Sequence, residues 1–307
     1  MKLGIPKGLL YENYNNFFNT FFSELGAEII HSKETNKEIL NLGVKYCVDE
    51  ACLPIKVFHG HVACIKDKCD IMFIPRIMQL KKSEFICPKF CGLPEMIIND
   101  IPNMPQIISY PINAYDKRKF MHFIRNCGFL FTKNIYKIKT AYNHACLMQE
   151  SSKVGIYDKN YNLNIALVGH PYNIYDKYLN LNIVKKLNSL GIGVITKDSL
   201  DECKITNEIL SLFKKPFWTF ARESYGFSSY CAKNKLVNGI IYISSFSCGI
   251  DSVLIELIKD NLNDFPMLIL KIDEQTGEAG FDTRIEAFSD MLERRCLNYE
   301  NNLSSIG

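Results

Sequence analysis

The sequence predicts an α/β protein built from parallel sheets. Short apolar runs with β-branched residues alternate with segments of helical periodicity along all 307 residues, a pattern typical of strands joined by helical crossovers. An apolar content of 47% is enough for a packed core and excludes a disordered or fibrous chain. The pattern restarts near residues 150 to 160, so we expect two domains of ordinary size.

Strands are expected in both halves of the chain, before and after residues 150 to 160. The expected strands are 2–5, 27–31, 44–47, 71–75 and 106–110, followed by 164–168, 193–196, 239–243 and 266–272. The domains are then 1–150 and 151–307. The simplest arrangement is two tandem Rossmann-like (flavodoxin-like) domains with a cleft between them.

Two helices help to place the motifs. Pro54 suits a first helical turn, and apolar residues follow it at three- and four-residue spacing, which predicts a helix that starts just after Cys52. Near the end of the chain, Thr283 and Glu286 form a capping-box pattern. They predict the start of a final amphipathic helix.

The charge balance excludes several classes of partner. Lys and Arg total 36 against 33 Asp and Glu, and the net charge of +3 is spread without a basic block. We therefore expect no nucleic-acid partner and no anionic membrane surface. No apolar stretch approaches the roughly 18 residues of a membrane span, and the first residues do not resemble a signal peptide. A cytoplasmic location is expected.

The chain has twelve cysteines, and in a reducing compartment we do not expect them to form disulfides. Metal binding, redox chemistry and simple burial are the alternatives. Isolated cysteines are expected to act as small buried hydrophobes; these are Cys127, Cys146, Cys203, Cys231 and Cys296. The N-terminal third differs because its cysteines come in pairs: Cys47 with Cys52, Cys64 with Cys69, and Cys87 with Cys91.

The sheet topology divides these cysteines into two groups. Ligands of open parallel sheets bind outside the carboxyl ends of the strands. Five cysteines follow expected strands and should lie at such edges: Cys47, Cys52, Cys87, Cys91 and, in the second domain, Cys248. Cys64 lies deep in the helix after Cys52, and Cys69 directly precedes a strand, so both should lie toward the opposite edge.

The spacing of the cysteines bears on the kind of site. Four residues separate Cys47 from Cys52 and three separate Cys87 from Cys91, unlike the two-residue spacing of many structural zinc sites. Iron–sulfur ligation fits better. Spacing alone leaves buried thiols without function as an equal alternative. His59 and His61 are two apart on a helix and cannot face the same way, which argues against a joint metal site.

Several motifs span nearly the whole chain. They are GIPKGL at 4–9, CVDEACLP at 47–54 with FHGH at 58–61, CPKFCGLP at 87–94, GHPY at 169–172, WTF at 218–220, SCG at 247–249 with Asp251 and Ser252, and the segment 273–284. Together they resemble the motifs of the acyl-CoA dehydratase activase-related proteins. That family is similar to the cluster-bearing subunits of 2-hydroxyacyl-CoA dehydratases and benzoyl-CoA reductases, and to double-cubane cluster proteins.

The resemblance implies two Rossmann-like domains that hold an oxygen-sensitive iron–sulfur cluster. It also implies a partner, a dimeric ATPase of the actin and sugar-kinase fold with its own 4Fe-4S cluster, which delivers low-potential electrons. In the dehydratase relatives the electron passes to a CoA thioester. The matching motifs place Cys52, Cys87, Cys91 and Cys248 first as ligands and Cys47 next. Four ligands suit a single 4Fe-4S cluster, and a double-cubane cluster would need six.

Three functions remain open from the sequence. The first is an iron–sulfur redox protein that passes electrons from the ATPase to a small substrate or a partner protein. The second is a non-catalytic binding or scaffold module with structural or zinc-bound cysteines, because no His–Asp or paired-carboxylate arrangement can be placed from the sequence. The third is a 2-hydroxyacyl-CoA dehydratase component that needs a partner subunit. No catalytic residue is assigned.

Overall fold

The computed structural model describes residues 1–304 apart from 153, 159 and 211, with side chains as far as residue 297. It divides into two compact units. Unit 1 is Met1–Val154 together with the short segment Pro216–Thr219. Unit 2 is Gly155–Lys215 together with Phe220–Gly307.

Unit 1 is a parallel α/β unit. Its strands are β1 (Lys2–Ile5), β2 (Glu28–His31), β3 (Ile71–Phe73), β4 (Arg76–Gln79), β5 (Gln106–Ile108) and β6 (Pro111–Asn113). Its helices are α1 (Tyr11–Glu24), α2 (Lys37–Tyr46), α3 (Leu53–Ile65), α4 (Pro88–Cys91), α5 (Leu93–Asp100), α6 (Lys117–Phe129) and α7 (Ile135–Glu150). The main sheet has the order β2-β1-β3-β5, and β4 pairs with β6 alone.

The core of unit 1 forms where apolar strands meet aromatic helices. Leu3 of β1 is paired with Ile29 of β2 on one side and Ile71 of β3 on the other. Phe22 of α1 packs against Phe73 of β3 with ring centroids 5.4 Å apart. Burial of such side chains is the main stabilising contribution to the unit.

Unit 2 repeats this architecture. Its strands are β7 (Leu163–Gly169), β8 (Ile192–Thr196), β9 (Gly239–Ser245) and β10 (Met267–Ile272). Its helices are α8 (Pro171–Tyr175), α9 (Ile183–Ser189), α10 (Glu202–Asn207), α11 (Thr219–Lys233), α12 (Gly249–Leu262) and α13 (Glu278–Ser304). Strand order is β8-β7-β9-β10 and every pairing is parallel. Both main sheets therefore place their strands in the chain order second, first, third, fourth, which is the flavodoxin-like order. The predicted fold class is confirmed.

The expected strand at 44–47 is wrong. These residues form the last turn of α2 and its C-cap, Cys47. The Asn36 side chain caps this helix by accepting a hydrogen bond from the Ile39 amide at 3.1 Å, and the buried residues Ile39, Leu40 and Gly43 follow at helical spacing. The other expected strands have counterparts, within one or two residues at their ends. β4 and β6 were not expected.

Both expected helices exist, but one begins elsewhere. α3 starts directly after Cys52, with Pro54 in its first turn, as predicted. α13 begins at Glu278, five residues before the expected capping box. Thr283 lies inside it and donates a hydrogen bond to the Ala279 carbonyl at 3.0 Å. Among the residues that the structure describes, no helix combines the length and the apolar character needed to cross a bilayer.

Candidate functional site

Cys47 and Cys52 are fixed at one end of the α2–α3 helix pair. Cys47 caps the end of α2 and Cys52 caps the start of α3, so neither follows a strand as expected. The two helices meet at glycines. A Cβ on Gly43 would lie 2.0 Å from the Lys56 carbonyl oxygen, and one on Gly60 would lie 1.9 Å from the Ile39 carbonyl oxygen. This backbone contact leaves the two cysteines little freedom to move apart.

The second pair of cysteines lies on a short helix beside Cys52. Cys87 precedes α4 and Cys91 is its last residue. Between them, Lys89 places its Nζ 3.7 Å from the Cys52 Sγ. The structure thus brings the α4 segment to the start of α3, although the two are 35 residues apart in sequence. The lysine charge and the positive end of α3 favour an anionic ligand here.

Arg76 of β4 anchors the α4 segment. Its Nε donates to the Ser109 carbonyl and its Nη1 to the Cys91 carbonyl, both at 3.1 Å. The guanidinium also pairs with Glu95 and lowers the pKa of that carboxyl group. Arg76 was not singled out from the sequence, because its role depends on β4, a strand that was not expected.

All twelve cysteines are free thiols, but their surroundings differ. Cys52, Cys87 and Cys91 are half-buried, and the Cys91 thiol contacts the Met78 Sδ at 3.5 Å. Cys47 is buried, and burial, with a further contribution from the Asp100 charge, raises its pKa to about 11. Half-buried thiols near a protein surface suit metal or cluster ligation better than inert packing.

Cys64 and Cys69 lie away from this group. Cys64 is near the carboxyl end of α3, and Cys69 lies just before β3 with its Sγ 3.5 Å from the Ile65 carbonyl oxygen. Burial raises the Cys69 pKa. The isolated cysteines Cys127 and Cys231 are fully buried, as expected, whereas Cys203 is exposed and does not act as a buried hydrophobe.

The two histidines of α3 contact different groups, as their spacing predicts. The His59 ring lies between the Ile55 carbonyl oxygen, 2.8 Å from Nδ1, and the Asp100 Oδ2, 3.0 Å from Nε2. The His61 ring lies between the hydroxyl groups of Ser32 and Thr35, at 2.8 and 3.0 Å. Burial lowers the His61 pKa to about 3, so that this imidazole is neutral.

A second group lies at the carboxyl edge of the unit 2 sheet. His170 follows β7, and Cys248 follows β9, the neighbouring strand. With Asp251 they form a group whose possible ligand atoms all lie within 4.8 Å of one another. Gly169, with φ of +148°, allows β7 to approach β9, since a Cβ there would lie 2.4 Å from the Ile243 carbonyl oxygen.

Electrostatics couple the members of the unit 2 group. Burial lowers the His170 pKa, but the Asp251 charge and contacts with Asp251 and Cys248 outweigh burial, and the pKa lies well above its usual value. The Asp251 pKa is lowered in turn, because His170 outweighs burial there. His170 Nδ1 lies 3.5 Å from Asp251 Oδ2, and the Tyr242 hydroxyl donates to Asp251 Oδ1 at 2.7 Å.

Sequence reasoning missed the His170–Asp251 pair. Both motifs that carry it were noted, GHPY at 169–172 and SCG with Asp251, but their partnership depends on β7 and β9 being neighbours. Neighbouring strands around the first strand of a flavodoxin-like sheet are where such sites form. The observed strand order places β7 beside β9 and so brings the two motifs together.

Unit 1 also contains a small apolar cavity. It has a volume of about 40 Å³ and its lining includes Phe58, Phe73 and Phe90. This space suits a water molecule or two in size but is lined by apolar groups. It is too small for a CoA thioester.

Comparisons with known proteins place the chain in a family. No curated protein matches it. The model of one protein family, described as the CoA enzyme activase uncharacterised domain (DUF2229), matches residues 2–200. The match covers unit 1 up to residue 154 and the first strands of unit 2, and it confirms the family resemblance predicted from the cysteine motifs. The chain belongs to the family of the CoA enzyme activase uncharacterised domain.

Proposed function

We propose that this protein is an iron–sulfur redox protein whose cluster is held by Cys52, Cys87, Cys91 and Cys248. One observation carries the proposal. The Lys89 Nζ lies 3.7 Å from the Cys52 Sγ, and this lysine stands between Cys87 and Cys91 on α4. Two cysteine motifs distant in sequence therefore meet in unit 1, as ligation of one cluster requires.

The donor set fits an iron–sulfur cluster. Thiolates are the usual ligands of such clusters, and Cys52, Cys87, Cys91 and Cys248 are all half-buried free thiols. These four thiolates are enough to ligate one 4Fe-4S cluster. Cys47 is the next candidate, and a double-cubane cluster would require six thiolates. Partial burial and nearby N–H groups would tune the cluster potential.

The family description supports a role beside a CoA enzyme. We propose that the cluster accepts low-potential electrons from an ATPase of the actin and sugar-kinase fold that carries its own 4Fe-4S cluster. The electrons then pass to a small substrate or a partner protein, as in dehydratases and reductases of this type. When bound, the cluster supplies one-electron transfer, and the chain holds it and limits solvent access. The cytoplasm is the compartment we propose, since free thiols suit a reducing environment.

The proposal is tested by analysis of iron and acid-labile sulfide after anaerobic purification and reconstitution. We expect about four irons per chain, by the ligand count of a single 4Fe-4S cluster. Serine is a much poorer iron ligand than thiolate, so Cys52→Ser, Cys87→Ser, Cys91→Ser and Cys248→Ser should each lose or degrade the cluster. The matched controls Cys64→Ser and Cys69→Ser should keep it.

Several outcomes would count against parts of this proposal. Colourless, iron-free protein after reconstitution would contradict the cluster itself, and full occupancy by zinc would favour a scaffold role. About eight irons per chain would indicate a double-cubane cluster. Loss of iron from Cys69→Ser with iron retained in Cys248→Ser would remove Cys248 from the ligand set.

A further inference from the structure

Three helices of unit 1 bring different ligand types to one place. Cys47 caps α2, His59 lies in the middle of α3, and Asp100 is the last residue of α5. A ligand atom from each lies within 4.8 Å of the other two. Cys47 is 6% exposed and His59 is fully buried. A thiol, an imidazole and a carboxylate in such a group are the donor types that zinc prefers.

The contacts of His59 favour positive charge between its ring and the Asp100 carboxylate. Both ring nitrogens face acceptors: Nδ1 faces the Ile55 carbonyl oxygen and Nε2 faces the Asp100 carboxylate. A neutral imidazole carries one proton and can donate to only one of them. If the proton is on Nδ1, the lone pair of Nε2 faces the Asp100 carboxylate, and the two repel each other. A metal ion bound by Nε2 and by the carboxylate would remove this repulsion. An imidazole that donates from Nδ1 to a backbone carbonyl is the usual arrangement of a metal-binding histidine.

The surrounding backbone adds negative potential. Cys47 and Asp100 each lie at the carboxyl end of a helix, where the helix dipole places partial negative charge. Burial and, after it, the Asp100 charge raise the pKa of the Cys47 thiol, while Lys56 and Lys89 lower it. A divalent cation would offset the charges of the thiolate and the carboxylate together, and its binding would release the thiol proton.

We propose that Cys47, His59 and Asp100 bind one divalent transition-metal ion of the zinc type, separate from the iron–sulfur cluster. Three protein ligands leave one position for water. The metal would tie the end of α5 to α2 and α3. Because only Gly92 separates Cys91 from α5, this link would hold the α4 segment in place. The inference assigns Cys47 to the metal ion and leaves the cluster to the other four cysteines.

Cobalt titration of the full-length, metal-free and cluster-free protein tests the site. Co²⁺ accepts the same ligands as Zn²⁺ and shows a thiolate-to-metal absorption band, which zinc should abolish by competition. Cys47→Ser should lose that band, and His59→Gln and Asp100→Asn should weaken binding by more than about tenfold. Asp100 is partly exposed, so Asp100→Asn should fold. The matched controls Cys64→Ser and Cys69→Ser, which lie away from both sites, should bind Co²⁺ normally.

Two results would overturn the inference without affecting the proposed function. A Co²⁺ band that survives in Cys47→Ser but disappears in Cys52→Ser would place the metal on the cluster thiols. Iron and sulfide loss from Cys47→Ser equal to that from Cys52→Ser would make Cys47 a cluster ligand. Conversely, normal Co²⁺ binding in a wild-type protein that never assembles iron would support the metal site and contradict the cluster.

Discussion

At the scale of single residues, the two histidines of α3 show how the immediate surroundings decide a role. Both are buried and two positions apart. His59 faces a carboxylate and a backbone carbonyl, whereas His61 faces two hydroxyl groups. Hydroxyl groups can donate as well as accept, so they satisfy a neutral ring completely. His61 therefore packs as an uncharged core residue, while His59 lies in an environment suited to a cation.

The His61 environment predicts a pH dependence of stability. Its pKa is about 3 in the folded protein and about 6.5 when the chain is unfolded. The unfolded state thus binds the extra proton between these values, and His61 costs stability as the pH falls below about 6.5. The expected slope is up to about 1.4 kcal/mol per pH unit. Urea unfolding between pH 7 and pH 4 measures it.

His61→Gln is the matched variant, because glutamine can still bond to Ser32 and Thr35 but does not titrate. It should be less stable than the wild type at pH 7, and the difference should shrink as the pH falls toward 4. Parallel pH profiles for the two proteins would contradict the assignment of a neutral, buried His61.

At the scale of elements, the α2–α3 pair positions more of the candidate site than any other pair. Cys47, Cys52 and His59 all lie on it or at its ends. The helices approach so closely because Gly43 and Gly60 present no side chain at the contact. A larger residue at either position would clash with a backbone carbonyl group, which cannot move aside as a side chain can.

Gly43→Ala should therefore destabilise the protein by about 2 to 3 kcal/mol, in the range of overpacked cores. It should also weaken cobalt binding, since the added methyl group separates α2 from α3. Gly280→Ala is the control. Gly280 is exposed on α13 with nothing within 4 Å of an added Cβ, so alanine should stabilise by up to about 1 kcal/mol. Equal unfolding midpoints for both variants would argue against close backbone packing.

The α2 helix also shows where sequence reasoning succeeds and fails. The run at 44–47 was interpreted as a strand from four residues, although the Asn36 cap and the spacing of Ile39, Leu40 and Gly43 indicate a helix over a longer window. The start of α3 was correct because Pro54 is a local signal. A residue such as proline, which favours the first turn of a helix, predicts a helix start from the sequence alone.

Contacts between distant segments were harder to predict. β4 and β6 are short, and their pairing joins segments 35 residues apart, so nothing local identifies them. The proximity of Cys52 to the α4 segment was expected from the sheet edges even though one strand in that argument was wrong. The partnership of His59 with Asp100 joins helices that periodicity cannot place relative to each other.

At the scale of the whole molecule, both units use the same strand order, and the chain passes from unit 2 back to unit 1 for one short segment. That segment, Pro216–Thr219, pairs with the backbone of Phe85. The Phe85 amide donates to the Phe217 carbonyl at 2.7 Å, and the Thr219 amide donates to the Phe85 carbonyl at 2.9 Å. The pairing lies just before Cys87 and steadies the chain that leads to α4.

Thr219→Pro should loosen the segment around Cys87. Proline is tolerated in the first turn of α11 but removes the amide that bonds to Phe85. Hydrogen exchange followed by mass spectrometry should show faster exchange in peptides that contain Phe85. Ile135→Pro, at the exposed first residue of α7, provides the control and should leave those peptides unchanged. Equal exchange in both variants would mean that the pairing contributes nothing.

The return of the chain to unit 1 also limits how such a protein can be rearranged in evolution. A single crossover near residue 154 would exchange unit 2 for another domain, yet it would also discard the residues that pair with Phe85. Recombination at one point would therefore yield a first unit in which the Phe85 backbone, two residues before Cys87, has lost these hydrogen bonds. The two halves are expected to be inherited as one block, and their substitutions near 85 and 216–219 to be selected together.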